Sequence, residues 1–541
     1  MRTRLRTLFV VALLVASSAA TASATAAGAS GVDRVNANAS AGVNTTPAST
    51  ASAASTDGPA PAQTDDAGDA NRSIGYVDGY RYDTAIRVDQ SDGLSDAEIH
   101  AYVRRTMARV ERLRGHDFEK PVPVNVMSRA EYRANTSSAP TNATHARWNQ
   151  QVWEAALIVG SDTNLSAAMS SYYSDSVQGF YSPSDDAIEI IVPSGKRAYI
   201  DRATLAHELT HALQDQTYDL AESKYGGETQ DTQLATSGLI EGEARYVQNR
   251  YTERCTNGTW RCVATPSTGD SSSSSDSGGS AGSSPPVSLQ YTLYFPYASG
   301  PGYVHELLER GGWDAVDAAW RDPPTTTTEI IHGEAPAVRD VTVDRDAATN
   351  GWRTYAGVGA NGTGTDTLGE ASIFMGLWWQ SARYDAGVVP TDIRADDGYR
   401  TFRYAAPASA GWAGDTVLPY RNGDADGFVW KSAWETDADA GDFADGYVAA
   451  LKAHDAAREN GTWVVPEGDG YRGAYRVVHT AETVTVVHGP DVAAVNDIRP
   501  SLADSESTAG TSGGSSPGFG LLAGAFALLG ALLAVVRLRR R

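Results

Sequence analysis

Leu205-Ala206-His207-Glu208-Leu209-Thr210-His211-Ala212-Leu213 decides how this chain is read, because it carries the pattern H-E-x-x-H inside an apolar helical segment. Two histidines four apart on an α-helix lie one above the other on the same face, so both imidazoles can reach a single Zn²⁺. Glu208, beside the first of them, is placed to take a proton from a water that the metal activates. A five-residue pattern also arises by chance, and a histidine pair can be surface decoration or satisfied core. The flanking Leu205, Leu209, Ala212 and Leu213 argue otherwise. They make this a helix that packs inward, where two imidazoles and a carboxylate without partners are costly to bury.

Upstream, Gly179-Phe180-Tyr181-Ser182-Pro183 leads through Ser184-Asp185-Asp186 into Ala187-Ile188-Glu189-Ile190-Ile191-Val192. This β-branched run between turn residues predicts a strand just ahead of the metal helix. A third ligand is still required. Downstream, Ser237-Gly238-Leu239-Ile240-Glu241-Gly242-Glu243-Ala244-Arg245-Tyr246-Val247 reads as a second helix with two carboxylates two positions apart. They point to nearly opposite faces, so only one can ligate. Glu241 shares its face with Ser237, Gly238 and Ala244, small residues expected to let this helix approach the histidine helix closely. Glu243 lies nearer Leu239, Ile240 and Val247, and that aliphatic flank can equally be the packed one. The residues alone leave the choice open.

Together these strings resemble the gluzincin metallopeptidases, in which two histidines of H-E-x-x-H and a glutamate on a following helix hold the metal. Glu241-Gly242-Glu243-Ala244 looks like the E-G-x-A of gluzincin aminopeptidases, and that resemblance implies Glu241 as the third ligand. A strand followed by the metal helix is likewise the zincin arrangement. Gln214 and Thr217 stand where a metzincin has its Gly and third His, which excludes that subfamily. Arg245 occupies the position at which thermolysin-like enzymes carry an Asp that orients a histidine, so the imidazole tautomers must be set from elsewhere. His211 and Glu241 also stand further apart than in the short-spaced members. The resemblance implies an α+β, zincin-like metallopeptidase core, Zn²⁺ as cofactor, Glu208 as general base and a peptide or protein as substrate.

Residues 1–24 have a basic start, an apolar stretch from Leu8 to Ala16 and the small-residue site Ala22-Ser23-Ala24, as a secretory signal peptide does. Residues 25–71 are too poor in large apolar side chains to offset the ordering of their backbone and read as a tether. The metal core is expected over 72–263. It opens with the capping box Ser95-Asp96-Ala97-Glu98 and a helix whose apolar face is Ile99, Val103, Met107 and Val110, ending at Gly115. Pro121 to Met127 alternates as a strand and is expected to join the sheet of Ile188 to Val192. Cys255 and Cys262 are the only cysteines, and in an exported chain they predict a disulfide.

A Ser-rich linker, 264–286, precedes a second α+β half over 287–498. Leu307 and Leu308 lie in a helix that stops at Gly311-Gly312-Trp313, and Phe374 to Trp379 reads as a buried helix. Trp412 to Trp434 predicts a strand pair, and Tyr475 to Val478 with Val484 to Val487 a hairpin. Over roughly 72–498 the chain resembles uncharacterised exported H-E-x-x-H proteins of bacteria and archaea. Among the other candidates, His332 and His305 stand near recognisable strings, but a solitary His is more often structural. Trp378, Trp379, Trp412 and Trp430 read as core rather than as a ligand platform.

After a Ser/Gly stalk at 499–516, Pro517-Gly518-Phe519 introduces an apolar run to Val536 capped by Arg537, Arg539, Arg540 and Arg541. The run just reaches the length of a bilayer span, with its basic end on the cytoplasmic side. Segment 517–541 resembles the PGF-CTERM sorting signal of haloarchaeal surface proteins, which implies processing by an archaeosortase and replacement by a lipid anchor. A retained transmembrane helix is the plainer alternative.

Composition agrees with a salt-loving source. The formal net charge is −22, and of 44 basic residues only Lys120, Lys196, Lys224, Lys431 and Lys452 are lysines. High salt screens the self-repulsion of such a surface. The balance argues against nucleic acid as a partner, since no basic patch is available to displace counterions from phosphates. The expectation is a cell-surface zinc metallohydrolase, with one rival: a surface binding or structural protein that holds zinc for stability alone.

Overall fold

The computed structural model describes residues 11–14, 74–136, 142–192, 199–265, 285–345, 347–395 and 397–504. The signal peptide other than Val11–Leu14, the tether, most of the Ser-rich linker, most of the stalk and the sorting segment lie outside the described residues. No helix among the described residues is long and apolar enough to cross a membrane.

The architecture is α+β. Helix α1 (Asp96–Arg114) begins at the expected capping box: Ser95 accepts from the Glu98 amide while Glu98 reaches back to Ser95, and Gly115 closes the helix at φ +87°. A small sheet follows. Strand β1 (Val124–Ser128) joins the sheet of β3 (Ala187–Val192) as expected, running parallel to it with Val124 opposite Ile188. Strand β2 (Val177–Ser182) pairs antiparallel with β3 through a tight turn, and Val11–Leu14 lies along the free side of β2. Between β1 and β3 the chain forms helices α2 (Ala143–Ala155) and α3 (Leu165–Ser176).

Helix α4 (Arg202–Tyr218) carries H-E-x-x-H. Asp201 caps its start, accepting from the amides of Ala203 and Thr204, and Asp219 ends it in the left-handed conformation. Leu205, Leu209 and Leu213 enter a core made with Tyr102, Met107 and Val110 of α1 and Ile188 and Ile190 of β3. Each such side chain contributes about 1.5–3 kcal/mol.

Helix α5 (Gln230–Thr256) is the spine of the molecule. Val247 and Tyr251 belong to that first core, whereas Leu239 and Ile240 belong to a larger one dominated by the second half. The expected disulfide between Cys255 and Cys262 closes its C-terminal end. In the second half lie α6 (Phe295–Arg321), α7 (Thr327–His332), α8 (Gly369–Tyr384) and α9 (Asp437–Lys452). Within α6 the helix of Leu307 and Leu308 stops, as predicted, at Gly311 and Gly312, whose dihedrals are not helical, and a second helical segment follows to Arg321.

The seven-stranded sheet of this half is built on β4 (Trp412–Asn422), β5 (Ala425–Trp434), β6 (Thr462–Val465), β7 (Gly473–Thr480) and β8 (Thr483–Gly489). It runs in the order Ala457–Glu459, β6, β7, β8, β5, β4, Arg353–Thr354. The expected strand pair β4/β5 and hairpin β7/β8 are both present. The larger core ignores the linker: Trp148 and Val152 of α2 share it with Trp412, Trp430 and Phe443.

One expectation is corrected. On the Glu241 face of α5, Gly238 lies against Ile330 of α7 and Gly300 of α6 rather than against the histidine helix, and beside that face a methyl group built on Gly242 would stand 2.5 Å from the Gly300 carbonyl carbon and 2.8 Å from its Cα. Gly242→Ala is therefore expected to lower stability by about 1–3 kcal/mol through overpacking. Gly441→Ala, on α9 with its nearest neighbour 3.5 Å away, should be neutral or slightly stabilising. Thermal unfolding of the two variants in high salt checks the contrast.

Candidate metal centre

Helices α4 and α5 bring His207, His211 and Glu241 together as a buried triad able to hold a metal ion. The Nε2 atoms of the two histidines are 3.0 Å apart, and Glu241 Oε2 lies 3.2 Å from His207 Nε2 and 3.3 Å from His211 Nε2. Ligand atoms held at about 2.0–2.1 Å around a tetrahedral zinc stand about 3.3 Å from one another, so this donor set fits such an ion without rearrangement.

The electrostatics ask for a cation. Burial raises the Glu241 carboxyl, but His211 and His207 outweigh it and hold the group down to about 2. Burial lowers His211, yet Glu241 lifts it to about 9, while His207, desolvated beside a second imidazole, falls to about 4. A proton on His211 thus compensates the carboxylate where a metal ion would do so directly.

Glu243, the alternative ligand, faces away. Arg114 of α1 donates from Nε to its Oε1 at 2.7 Å, and Trp320 Nε1 donates to its Oε2 at 2.5 Å. Arg114 also pairs with Asp317 and donates to the Tyr218 hydroxyl at 2.8 Å, and Tyr218 stacks on Trp320 at 4.6 Å. This buried network joins α1, α4, α5 and α6 behind the metal residues.

The orienting group that Arg245 cannot supply is Gln214. Its Oε1 lies 2.8 Å from His211 Nδ1, and its Nε2 donates to the Ile240 carbonyl at 3.0 Å. That contact keeps a proton on Nδ1 and leaves Nε2, facing the triad, as the nitrogen that would give up its proton to a metal. Gln214 is one of the two residues that separate this chain from the metzincin pattern, and its role is set by α5 passing beside it.

Glu208 stands apart from the ligand set. It is fully buried, no side chain among the described residues hydrogen-bonds its carboxyl, and burial pushes the group up to about 8 against the pull of His211 and the Tyr181 backbone. Tyr297, in the first turn of α6, was missed as a candidate. Its ring stacks on His207 at 6.3 Å, and burial, then the facing Glu241, raises its hydroxyl far enough that it stays protonated. Pro296 before it and Gly300 after it were the signals available: a helix start, then a close-approach site one turn on.

The lesser candidates are structural. His332 Nε2 lies 3.0 and 3.1 Å from the two oxygens of Glu370, away from the triad, and His305 stacks on Tyr399 at 3.8 Å. Trp412 and Trp430 are core residues that donate to Asp415, Trp378 is buried in the same core, and Trp379 packs against it half-buried.

A family model described as a domain of unknown function (DUF8575) matches residues 353–499. That span covers the seven-stranded sheet with α8 and α9, and it leaves the triad outside. No curated protein matches the chain, and no solved structure does.

Proposed function

We propose that this protein is a zinc-dependent metallohydrolase with a zincin-like core, a peptidase displayed at the cell surface. The observation that carries the reading is Glu208. A metal site that serves folding alone needs its ligands and nothing more, whereas here a fully buried carboxyl that is not among the ligands is kept beside the triad at the cost of its own desolvation.

His207, His211 and Glu241 would hold the ion, leaving a fourth position free. Zinc there supplies Lewis acidity, which polarises a substrate carbonyl and brings the pKa of water to about 7. Glu208 takes the proton of the attacking water on a carboxylate oxygen and hands it to the leaving amine. Gln214 holds His211 in the tautomer that ligation requires. Tyr297, whose protonated hydroxyl faces Glu241 beside His207, would serve as donor to a developing oxyanion.

A second reading, a zinc-stabilised surface protein without turnover, is favoured by the full burial of His207, Glu208 and His211. The two separate on purified protein in molar salt. The peptidase reading expects one zinc per chain, cleavage of a peptide library, loss of cleavage on chelation and its return with zinc. Zinc without cleavage across the library favours the scaffold, and absence of zinc removes both.

Export and anchoring belong to the same proposal, with segment 517–541 as the archaeosortase-processed or membrane-retained anchor. Truncation before Pro517 is expected to move the protein from the cell fraction to the medium. Persistent cell association of the truncated chain would point to another tether.

A further inference from the structure

We propose that Asn257, in the disulfide-closed turn that ends α5, is an acceptor for an N-linked sugar. The site is independent of the metal centre and rests on the export proposed above, because Asn-x-Ser/Thr triplets are used on exported chains.

Five such triplets lie wholly among the described residues, at Asn142, Asn164, Asn257, Asn361 and Asn460. A transferase has to grip three consecutive residues, reach the carboxamide nitrogen and contact the hydroxyl two positions on, so the fold sorts the five. Asn142 and Asn164 are helix caps whose Oδ1 atoms accept from amides in the first turns of α2 and α3, and Leu165, in the middle of the second triplet, is buried. At Asn460 the threonine, Thr462, is fully buried and accepts from Arg476. Asn361 is exposed, but its Nδ2 donates to Glu228 at 2.6 Å and the Thr363 hydroxyl donates to the Ala360 carbonyl.

Asn257-Gly258-Thr259 is exposed at all three positions. The Thr259 amide donates to Asn257 Oδ1 at 3.0 Å and fixes the carboxamide, while Nδ2 and the Thr259 hydroxyl have no hydrogen-bond partner among the described residues. Gly258 takes φ +79° with nothing within 4 Å of where a Cβ would stand, so the middle of the triplet is open to an approaching groove. The Cys255–Cys262 disulfide and the bond from the Trp260 amide to the Arg254 carbonyl, 2.8 Å, hold the turn in this shape. Along α5 the turn stands about 24 Å from Glu241 at 1.5 Å per residue, so a sugar here does not crowd the triad.

In the transfer, Asn257 Nδ2 bonds to the anomeric carbon of a sugar carried on a lipid phosphate. The bond from that carbon to the phosphate oxygen breaks, its electron pair stays on the phosphate, and a base of the transferase takes the proton that Nδ2 loses.

The test is peptide mapping by mass spectrometry of the full chain purified from the surface of the cells that make it. Reduction and trypsin release Cys255–Arg261, which is expected to carry sugar on Asn257, whereas Asn460 is expected to be bare. Asn257→Gln and Thr259→Ala, both at exposed positions, are expected to abolish the sugar at an unfolding temperature close to wild type, and Thr259→Ser to retain it. A bare Asn257 on surface chains that have lost their leader would overturn the site and leave export standing. Chains held inside the cell with the leader intact would overturn both. Sugar that persists in Asn257→Gln would be linked to a hydroxyl and overturn the assignment, and equal occupancy of Asn257 and Asn460 would show transfer to the unfolded chain and overturn the selection by the fold.

Discussion

Glu208→Gln is expected to lower peptide hydrolysis by about 10²-fold or more while leaving zinc content and thermal stability close to wild type, because it removes the proton acceptor and no ligand. The amide is nearly isosteric with the carboxylate. Its burial is also less costly than that of a carboxyl whose ionised form has no side-chain partner, so folding should not suffer. Zinc stoichiometry, unfolding temperature and steady-state cleavage are measured on the same preparations in high salt, since an acidic chain with net charge −22 loses screening in dilute buffer. Equal cleavage by both proteins would place the activity elsewhere or in a contaminant. Loss of zinc from the Gln variant would make Glu208 a ligand and redraw the centre.

The second large effect separates the two glutamates of α5. Glu241→Ala is expected to drop zinc well below one per chain, as are His207→Ala and His211→Ala, and to lower the unfolding temperature with it, because metal binding is coupled to folding. Glu243→Ala should instead keep zinc in the folded fraction and cost about 3–5 kcal/mol, since it breaks a fully buried ion pair. Arg114, lifted well above its ordinary range by Glu243, Tyr218 and Asp317 against the pull of burial, would retain only the partly exposed Asp317 as a counter-charge. Zinc analysis sorts the two residues whatever their stabilities do. Retention of zinc in the Glu241 variant with its loss in the Glu243 variant would move the third ligand two residues along.

Local readings transferred well where the cause was local. The capping box at Ser95, the β4/β5 and β7/β8 pairs and the disulfide depend on neighbours in the chain or on strict alternation, and each stands where the residues place it; that β1 joins the sheet of β3 is legible too, but its parallel direction and register are not. The helix end at Gly311–Gly312 is local in the same way, announced by two glycines whose dihedrals leave the helix, but the direction that the next helical segment takes is not. Packing on the far side decides that, with Val316 and Trp320 buried in the larger core.

The sequence by itself determined the make-up of the candidate centre, because His207, Glu208 and His211 are brought into relation by the pitch of one helix, a property of the backbone that needs no tertiary partner. It also narrowed the third ligand to two carboxylates. Only the tertiary structure decided between them: Arg114, 129 residues away, neutralises Glu243 from one side, and the Gly238–Gly242–Gly300 contact seats α6 on the other, where it brings Tyr297 against His207. Gln214 acquired its role in the same way, through the Ile240 carbonyl of a helix that begins twelve residues after α4 ends. The physical reason is common to all three. A side chain's type and face are set by the backbone that carries it, but which charge is compensated and which donor is oriented depend on what the other helices bring within about 3 Å.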